Sequence, residues 1–141
     1  MILKSESSSV QITILNRRIS YDSNDYWDNN WIKSEIKINT QIFRGTYSTN
    51  LRTDDFQRFY KDLSDLSKDE IQDIEFTTME EGLFLNGKLD YTGNFKWNVI
   101  AKPEAGYRLS FPMVTDNYSI RILMNEVLKI LDAYPVIGNI L

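Results

Sequence analysis

The spacing of apolar residues changes along this chain, and that change constrains the fold more than any other feature. In two stretches, 10–47 and 74–111, apolar and polar residues alternate, which predicts strands with one buried face. Two other segments, about 53–67 and 116–134, repeat every three or four residues, as on one face of an amphipathic helix. The chain is therefore expected to combine strands with two long helices.

These elements predict a fold of the α+β class, a single layered domain over residues 1–141. About seven strands at hairpin spacing predict a mainly antiparallel sheet, with the two amphipathic helices packed on its apolar face. Thr53 and Asp116 are the predicted N-caps of those helices. Residues 1–9 are expected to form a flexible N-terminus. The apolar C-terminal tail, 135–141, is expected to pack on its own core, with a second copy as the alternative, which predicts a monomer or weak homodimer.

The chain contains no His and no Cys, and this excludes several kinds of site. Ser-His-Asp and Cys-His catalytic sites, zinc fingers and disulfides all need one of these residues. A calcium loop starting at Asp22 fails as well, because Tyr26, Trp27 and Lys33 occupy positions where the EF-hand needs a ligand, Gly and Glu. We expect no catalytic residues, no cofactor and no metal.

No targeting segment is evident in the sequence. The opening residues 1–9 lack a basic region followed by an apolar run of about 7–15 residues, as a signal peptide would have. No stretch approaches the roughly 18 consecutive apolar residues of a membrane span. The expected location is cytoplasmic, without membrane association.

Charge is unevenly distributed and gives the clearest functional signal. The whole chain carries −4, but residues 54–81 hold ten acids against three bases, a net charge of −7. A solvated helix face is one interpretation, and a docking surface for a basic partner is the other, since like-signed surface charge steers complementary partners. The candidate contacts in this segment are Asp62, Asp65, Asp69, Glu70, Asp73, Glu80 and Glu81.

Nucleic acid is not an expected partner. Arg17 and Arg18 form the only adjacent basic pair, and the six Gly residues form no phosphate-binding loop.

A polar loop before the second strand contributes further candidate contacts. Rigid aromatic residues mixed with charge are common anchors at interfaces, whereas their alternative roles are turn formation and cover for the core. Trp31, which adjoins the strand, is expected to cover the core. The candidate contacts in the loop are Asp22, Asp25, Tyr26, Trp27 and Asp28.

Several stretches, taken in order, resemble the WapI-type immunity proteins, which protect bacteria from the C-terminal toxin domains of wall-associated and Rhs-type polymorphic toxins. The resemblance spans about residues 10–135, although 69–75 lacks the Gly expected after the first helix. The matching pieces are Asp25-Tyr-Trp-Asp-Asn-Asn-Trp-Ile32, Phe43-Arg-Gly45, Leu51-Arg-Thr-Asp-Asp-Phe56, Phe59, Leu63-Ser-Asp-Leu66, Glu80-Glu-Gly-Leu-Phe-Leu85, Leu109-Ser-Phe111, Asp116-Asn-Tyr-Ser-Ile120 and Ile130-Leu-Asp-Ala-Tyr-Pro135.

The resemblance implies a non-enzymatic inhibitor that binds its cognate toxin C-terminal domain in the cytoplasm of the producing cell. Toxin domains of this class are often nucleases, and nucleases that grip phosphates tend to be basic. An acidic inhibitor would block the active site in place of the nucleic-acid backbone or bind beside it. The alternative function is a carboxylate-dependent hydrolase or small-ligand-binding domain that uses the open face of the sheet.

Overall fold

The computed structural model describes residues 1–18 and 26–138 of the chain. Within them lie eight strands in two antiparallel four-stranded sheets, and three helices. Sheet 1 contains, in spatial order, β1 (Ile2–Lys4), β2 (Ser9–Arg17), β3 (Trp31–Asn39) and β4 (Arg44–Arg52). Sheet 2 contains β5 (Asp73–Phe76), β6 (Leu83–Leu89), β7 (Phe95–Ala101) and β8 (Leu109–Thr115). The helices are α1 (Tyr26–Asn29), α2 (Thr53–Ser67) and α3 (Tyr118–Ala133).

The two sheets and their long helices form a structural repeat. Each half consists of four antiparallel strands followed by one long helix. Four buried residues of α3 each lie 64 positions after a buried residue of α2. The pairs are Phe56 and Ile120, Phe59 and Leu123, Leu63 and Val127, and Leu66 and Ile130. The counterparts share burial but not identity, which is why the sequence shows no repeat.

The predicted α+β class, antiparallel pairing and two long helices are confirmed. The eight strands form two sheets, where the sequence predicts one sheet of about seven. The additional strand is β1, in the segment expected to be flexible. Its Leu3 is buried, and the Ile2 N–H donates to Oε2 of Glu126 at 3.1 Å. These contacts anchor the start of the chain to α3.

The predicted N-cap of α2 is wrong by one residue. The helix spans Thr53–Ser67, and Arg52 precedes it in extended conformation. The Arg52 N–H donates to Oδ2 of Asp55 at 2.9 Å, as in one half of a capping box. The Thr53 hydroxyl donates instead to Oδ1 of Asn30 at 2.9 Å. For α3, Asn117 occupies the N-cap position, so the predicted N-cap Asp116 is also one residue away, although its Oδ1 accepts the Ser119 N–H at 3.0 Å.

One apolar core joins both sheets to α2 and α3. The rings of Phe56 and Phe59 on α2 lie 5.2 and 5.4 Å from that of Phe76 on β5. Because side chains alternate along a strand, the other face of each sheet is left toward solvent. The outward face of α2 and the outer face of sheet 2 meet where β5 lies beside the helix.

Candidate functional site

The N-terminal end of α2 is built around a buried arginine. The Arg52 side chain is 1% exposed, and its Nε donates to Oδ1 of Asp54 at 2.9 Å. Its Nη1 and Nη2 donate to the carbonyl oxygens of Trp27 and Tyr26 at 2.7 and 3.1 Å. The guanidinium carbon also lies 5.2, 5.1 and 4.9 Å from the ring centroids of Tyr26, Trp27 and Trp31. Arg52 thus fixes α1 against the start of α2.

Both acids in the first turn of α2 belong to this cluster. Asp54 accepts from the Tyr26 hydroxyl at 2.7 Å and from Nη1 of Arg58 at 3.1 Å, and Asp55 accepts from Nη2 of Arg58 at 2.5 Å. Burial opposes ionisation of Asp54, but the Tyr26 hydrogen bond and the Arg52 charge hold its pKa below the ordinary value. Burial raises the pKa of Asp55 to about 6. These two acids are therefore partnered by two arginines rather than open to a partner protein.

Asn30 ties the C-terminal tail to the same cluster. Its fully buried amide accepts the Ile137 N–H and donates to the Ile137 carbonyl, both at 2.8 Å. It also donates to the carbonyl of Tyr26 at 2.7 Å. Arg17 donates to the carbonyl of Pro135. The described part of the tail therefore hydrogen-bonds within its own chain, and residues 139–141 lie outside the described residues.

The C-terminal half of α2 carries acids on its outward face. Asp62 and Asp65 stand three residues apart, which places them on one side of the helix. Nζ of Lys61 lies 2.7 Å from Oδ2 of Asp65, and this hydrogen bond raises the pKa of the lysine. Asp69 follows the helix in the left-handed conformation, with φ 59°. Gly usually occupies this position after a helix, and here an aspartate does.

Three acids converge on a cavity of about 520 Å³ between α2 and the outer face of sheet 2. Asp73 and Glu75 point outward on β5, whereas the alternate residues Ile74 and Phe76 are buried. Asp62 reaches them from α2, and its Oδ2 accepts the Glu75 N–H at 3.4 Å. The remaining lining residues are Phe84, Asn86, Lys88 and Asn98.

Glu80 and Glu81 lie in a different place, at the turn between β5 and β6. They line a cavity of about 650 Å³ together with β4 and the turn between β7 and β8. Glu81 has φ 57°, and its Oε2 lies 3.8 Å from Nζ of Lys102. The Tyr47 hydroxyl donates to the Gly82 carbonyl at 2.7 Å, which attaches this turn to sheet 1. Of the predicted acidic contacts, Asp62 and Asp73 thus line one cavity and Glu80 and Glu81 another, whereas Asp65, Asp69 and Glu70 line neither of the two.

The structure also separates the two predicted aromatic contacts. Tyr26 is 8% exposed and belongs to the Arg52 cluster, whereas Trp27 is 48% exposed and Asp28 is exposed beside it. Asp22 and Asp25 lie outside the described residues. Trp31 is partly buried and packs against Arg52.

The sequence interpretation missed Arg52, Arg58 and Asn30. The signal for Arg58 was present, because it stands four residues after Asp54 and i, i+4 pairs of opposite charge interact on a helix. No local pattern marks Arg52 or Asn30, because each also bonds a backbone group at least 25 residues away, Arg52 at Trp27 and Asn30 at Ile137.

Two observations concern metals and membranes. Within residues 1–18 and 26–138, no group of three or more His, Cys, Asp or Glu side chains is placed to hold a metal ion. None of the described helices is both long and apolar enough to span a bilayer.

Comparison with known proteins identifies the family. The model of the immunity protein WapI-like family matches residues 1–135. The chain belongs to this family. No curated protein matches it. A solved structure of Trypanosoma brucei MRP1/MRP2 is similar, with a TM-score of 0.52, 8% sequence identity, and coverage of 92% of this chain and 76% of that chain. At this identity, the similarity shows the fold alone.

Family membership confirms the resemblance found in the sequence and makes this chain a WapI-like immunity family member. The family suggests a non-enzymatic role and a toxin as partner. On this family member, α2 and β5 carry acids outside the Arg52 cluster: Asp65 pairs with exposed Lys61, and Asp62, Asp73 and Glu75 line one cavity.

Proposed function

We propose that this protein neutralises a toxin by binding the toxin's C-terminal domain in the cytoplasm of the producing bacterium, without catalysis. The proposed contact region is the outward side of α2, the connection that follows it and β5, called here the acidic surface. It consists of Asp62, Asp65, Asp69, Glu70, Asp73 and Glu75. The observation that carries the proposal is this acidic surface on a member of an immunity protein family.

The sign of the charge defines the partner. Six acids lie beside three lysines, Lys61, Lys68 and the cavity-lining Lys88, so the acidic surface carries a net charge of −3. Such a surface accelerates association with a basic partner and penalises an acidic one. A nuclease domain with a basic phosphate-binding cleft has the required charge.

The shape of the acidic surface suits basic side chains. Carboxylates of Asp62, Asp73 and Glu75 border one cavity, and the amides of Asn86 and Asn98 add further polar atoms. A guanidinium donates to carboxylates in a planar fork, which makes arginine a suitable occupant. Beside the cavity, Asp65 on α2 and Asp69 just after the helix supply further contacts.

The test removes three charges without changing side-chain shape. The neutral triple variant carries Asp62→Asn, Asp73→Asn and Glu75→Gln. The control triple variant carries Glu6→Gln, Glu35→Gln and Asp132→Asn, which removes the same charge from the β1–β2 turn, sheet 1 and the end of α3. Association is measured with the C-terminal domain of a large toxin encoded next to this gene, at several salt concentrations.

We expect the neutral triple variant to associate roughly tenfold more slowly at low salt and to depend less on salt, because steering charge is lost. The control triple variant should stay close to the wild type. Equal rates and equal salt dependence in both variants would contradict the proposed acidic surface.

The same cavity is the place that the alternative function would use. A carboxylate-dependent hydrolase or small-ligand-binding domain would use acids on the open face of a sheet, and Asp62, Asp73 and Glu75 line such a cavity. A wild-type protein that rescues toxin-expressing cells without forming a complex, and a neutral triple variant that loses this rescue, would favour the alternative.

A further inference from the structure

Neighbouring aromatic residues on α1 have opposite environments. Tyr26 is buried against Arg52, whereas Trp27 presents about half of its surface to solvent. The ring of Trp27 meets that of Tyr26 edge to face, with centroids 5.1 Å apart. The Arg52 guanidinium lies 5.1 Å from its centroid, and the Trp27 carbonyl accepts from Arg52 at 2.7 Å. The indole is therefore exposed and yet held on its inner side.

An exposed, immobilised tryptophan favours binding for two reasons. Covering its apolar surface removes that surface from water, which is favourable. Because Arg52 and Tyr26 already fix the ring, little side-chain freedom is lost when a partner covers it. Tryptophan is accordingly enriched among the residues that contribute most to protein–protein affinity.

Trp27 lies close enough to the acidic surface for one interface to include both. Residues 54, 58 and 65 share one side of α2, and Asp54 belongs to the cluster that holds Trp27. Asp54 and Asp65 are eleven residues apart, which is about 16 Å along the helix axis. A standard interface buries about 800 Å² on each partner, which corresponds to a disc roughly 30 Å across.

We infer that Trp27 is the apolar anchor of the toxin-binding interface and that Arg52 is the residue that positions it. This inference rests on the proposed function. The matching toxin surface is an apolar pocket bordered by basic side chains, which face exposed Asp28 and the acids of α2. The acidic surface sets the rate of association, and Trp27 sets the lifetime of the complex.

The test compares two half-exposed aromatic residues at opposite ends of sheet 1. Trp27→Ala removes the proposed anchor. Phe43→Ala is the matched control, because Phe43 is 56% exposed in the turn between β3 and β4. Trp27 precedes β3 and Phe43 follows it, and the strand from Trp31 to Asn39 is about 27 Å long. Dissociation from the toxin C-terminal domain is measured by surface plasmon resonance, and folding is checked by urea denaturation.

We expect Trp27→Ala to dissociate at least about tenfold faster, with an association rate within about twofold of the wild type. Trp27→Phe should be intermediate and Phe43→Ala unchanged. An unchanged lifetime for Trp27→Ala, together with slower association of the neutral triple variant, would overturn the anchor and leave the proposed function standing. Failure of the wild type to bind would instead overturn the proposed function.

A double-mutant cycle tests the positioning role of Arg52. Arg52→Lys keeps the charge but loses the planar fork that bonds the carbonyls of Tyr26 and Trp27. If Arg52 acts through Trp27, the substitution speeds dissociation in the wild-type background and has little effect in the Trp27→Ala background. An equal factor in both backgrounds, with both variants folded under assay conditions, would contradict positioning.

Discussion

The two ends of α2 carry the same kind of residue in opposite environments. Asp54 and Asp55 in the first turn are buried and bonded to Arg52 and Arg58. Asp65, three turns later, meets only an exposed lysine on its own helix. The comparison shows that the net charge of a segment overstates the charge available to a partner. It also predicts that the two ends respond to substitution in different ways.

The largest expected effect comes from Arg52→Ala at the N-terminal end. The substitution leaves Asp54 buried without its closest cation and removes the hydrogen bonds to α1. Breaking a buried ion pair by removing one partner typically costs about 3–5 kcal/mol. Urea denaturation should show this loss, while Lys61→Ala at the exposed end should leave the free energy of unfolding close to that of the wild type. A similar loss in free energy of unfolding for both variants would contradict the difference proposed between the two ends of α2.

The second prediction concerns pH and Asp55. Its pKa is raised by burial to about 6 in the folded protein, against 3.8 in the unfolded chain. The folded state therefore binds this proton more tightly, so the contribution of Asp55 to stability is greatest below about pH 4 and declines as pH rises to 6. The difference in free energy of unfolding between wild type and Asp55→Asn should change by at most about 3 kcal/mol across that window.

Chemical denaturation at half-unit pH steps measures this difference, with Asp65→Asn as the control at the other end of the helix. A difference between wild type and Asp55→Asn that stays flat from pH 4 to 6 would contradict the assignment. Asp54 has the opposite sign, since its pKa is lowered: its stabilising contribution is lost as pH falls through and below its ordinary value.

The third prediction concerns the stability of the neutral triple variant, whose substitutions lie at the exposed end of α2 and on β5. The neutral triple variant, which changes Asp62, Asp73 and Glu75, should alter the free energy of unfolding by no more than about 0.5 kcal/mol, because these acids have only weak contacts within the chain. The same variant should slow toxin association. A large loss of stability would mean that these acids serve the fold, as Asp54 does.

The smallest expected effect concerns the second acidic group. Glu80 and Glu81 line the separate cavity beside β4, so Glu80→Gln combined with Glu81→Gln should leave the toxin association rate within about twofold of the wild type. Their role as partner contacts stays a prediction from the sequence. A reduction as large as that of the neutral triple variant would extend the interface to this turn.

The sequence predicts those parts of the structure that depend on local periodicity. The spacing of Phe56, Phe59 and Leu63 predicts α2 because a helix brings residues three and four apart onto one face. Hairpin spacing predicts the antiparallel strands within each sheet. The connection from β4 to β5 runs through α2, and its length does not indicate whether β5 joins the first sheet or begins a second. Strand β1 was missed because three residues are too few for an alternating pattern.

The candidate site is less predictable because it depends on distant contacts. Asp54 and Asp62 are both acids on one helix. In the folded chain, Asp54 hydrogen-bonds to Tyr26 and Arg52, whereas Asp62 lies beside β5. The buried guanidinium of Arg52 donates to the carbonyl oxygens of Trp27 and Tyr26, which lie 25 and 26 residues earlier in the sequence. Charge counts therefore locate the acidic segment but do not distinguish acids that support the fold from acids available for binding.

The most direct test of the central claim is chemical labelling of carboxylates, read by mass spectrometry, with and without the toxin C-terminal domain. We expect Asp54 and Asp55 to label poorly in both states because they are buried and paired. We also expect the acids of the acidic surface to label freely in the free protein and to become protected in the complex, while Glu6, Glu35 and Asp132 do not change. Protection of those three acids, with the acidic surface still labelled in the complex, would contradict the account.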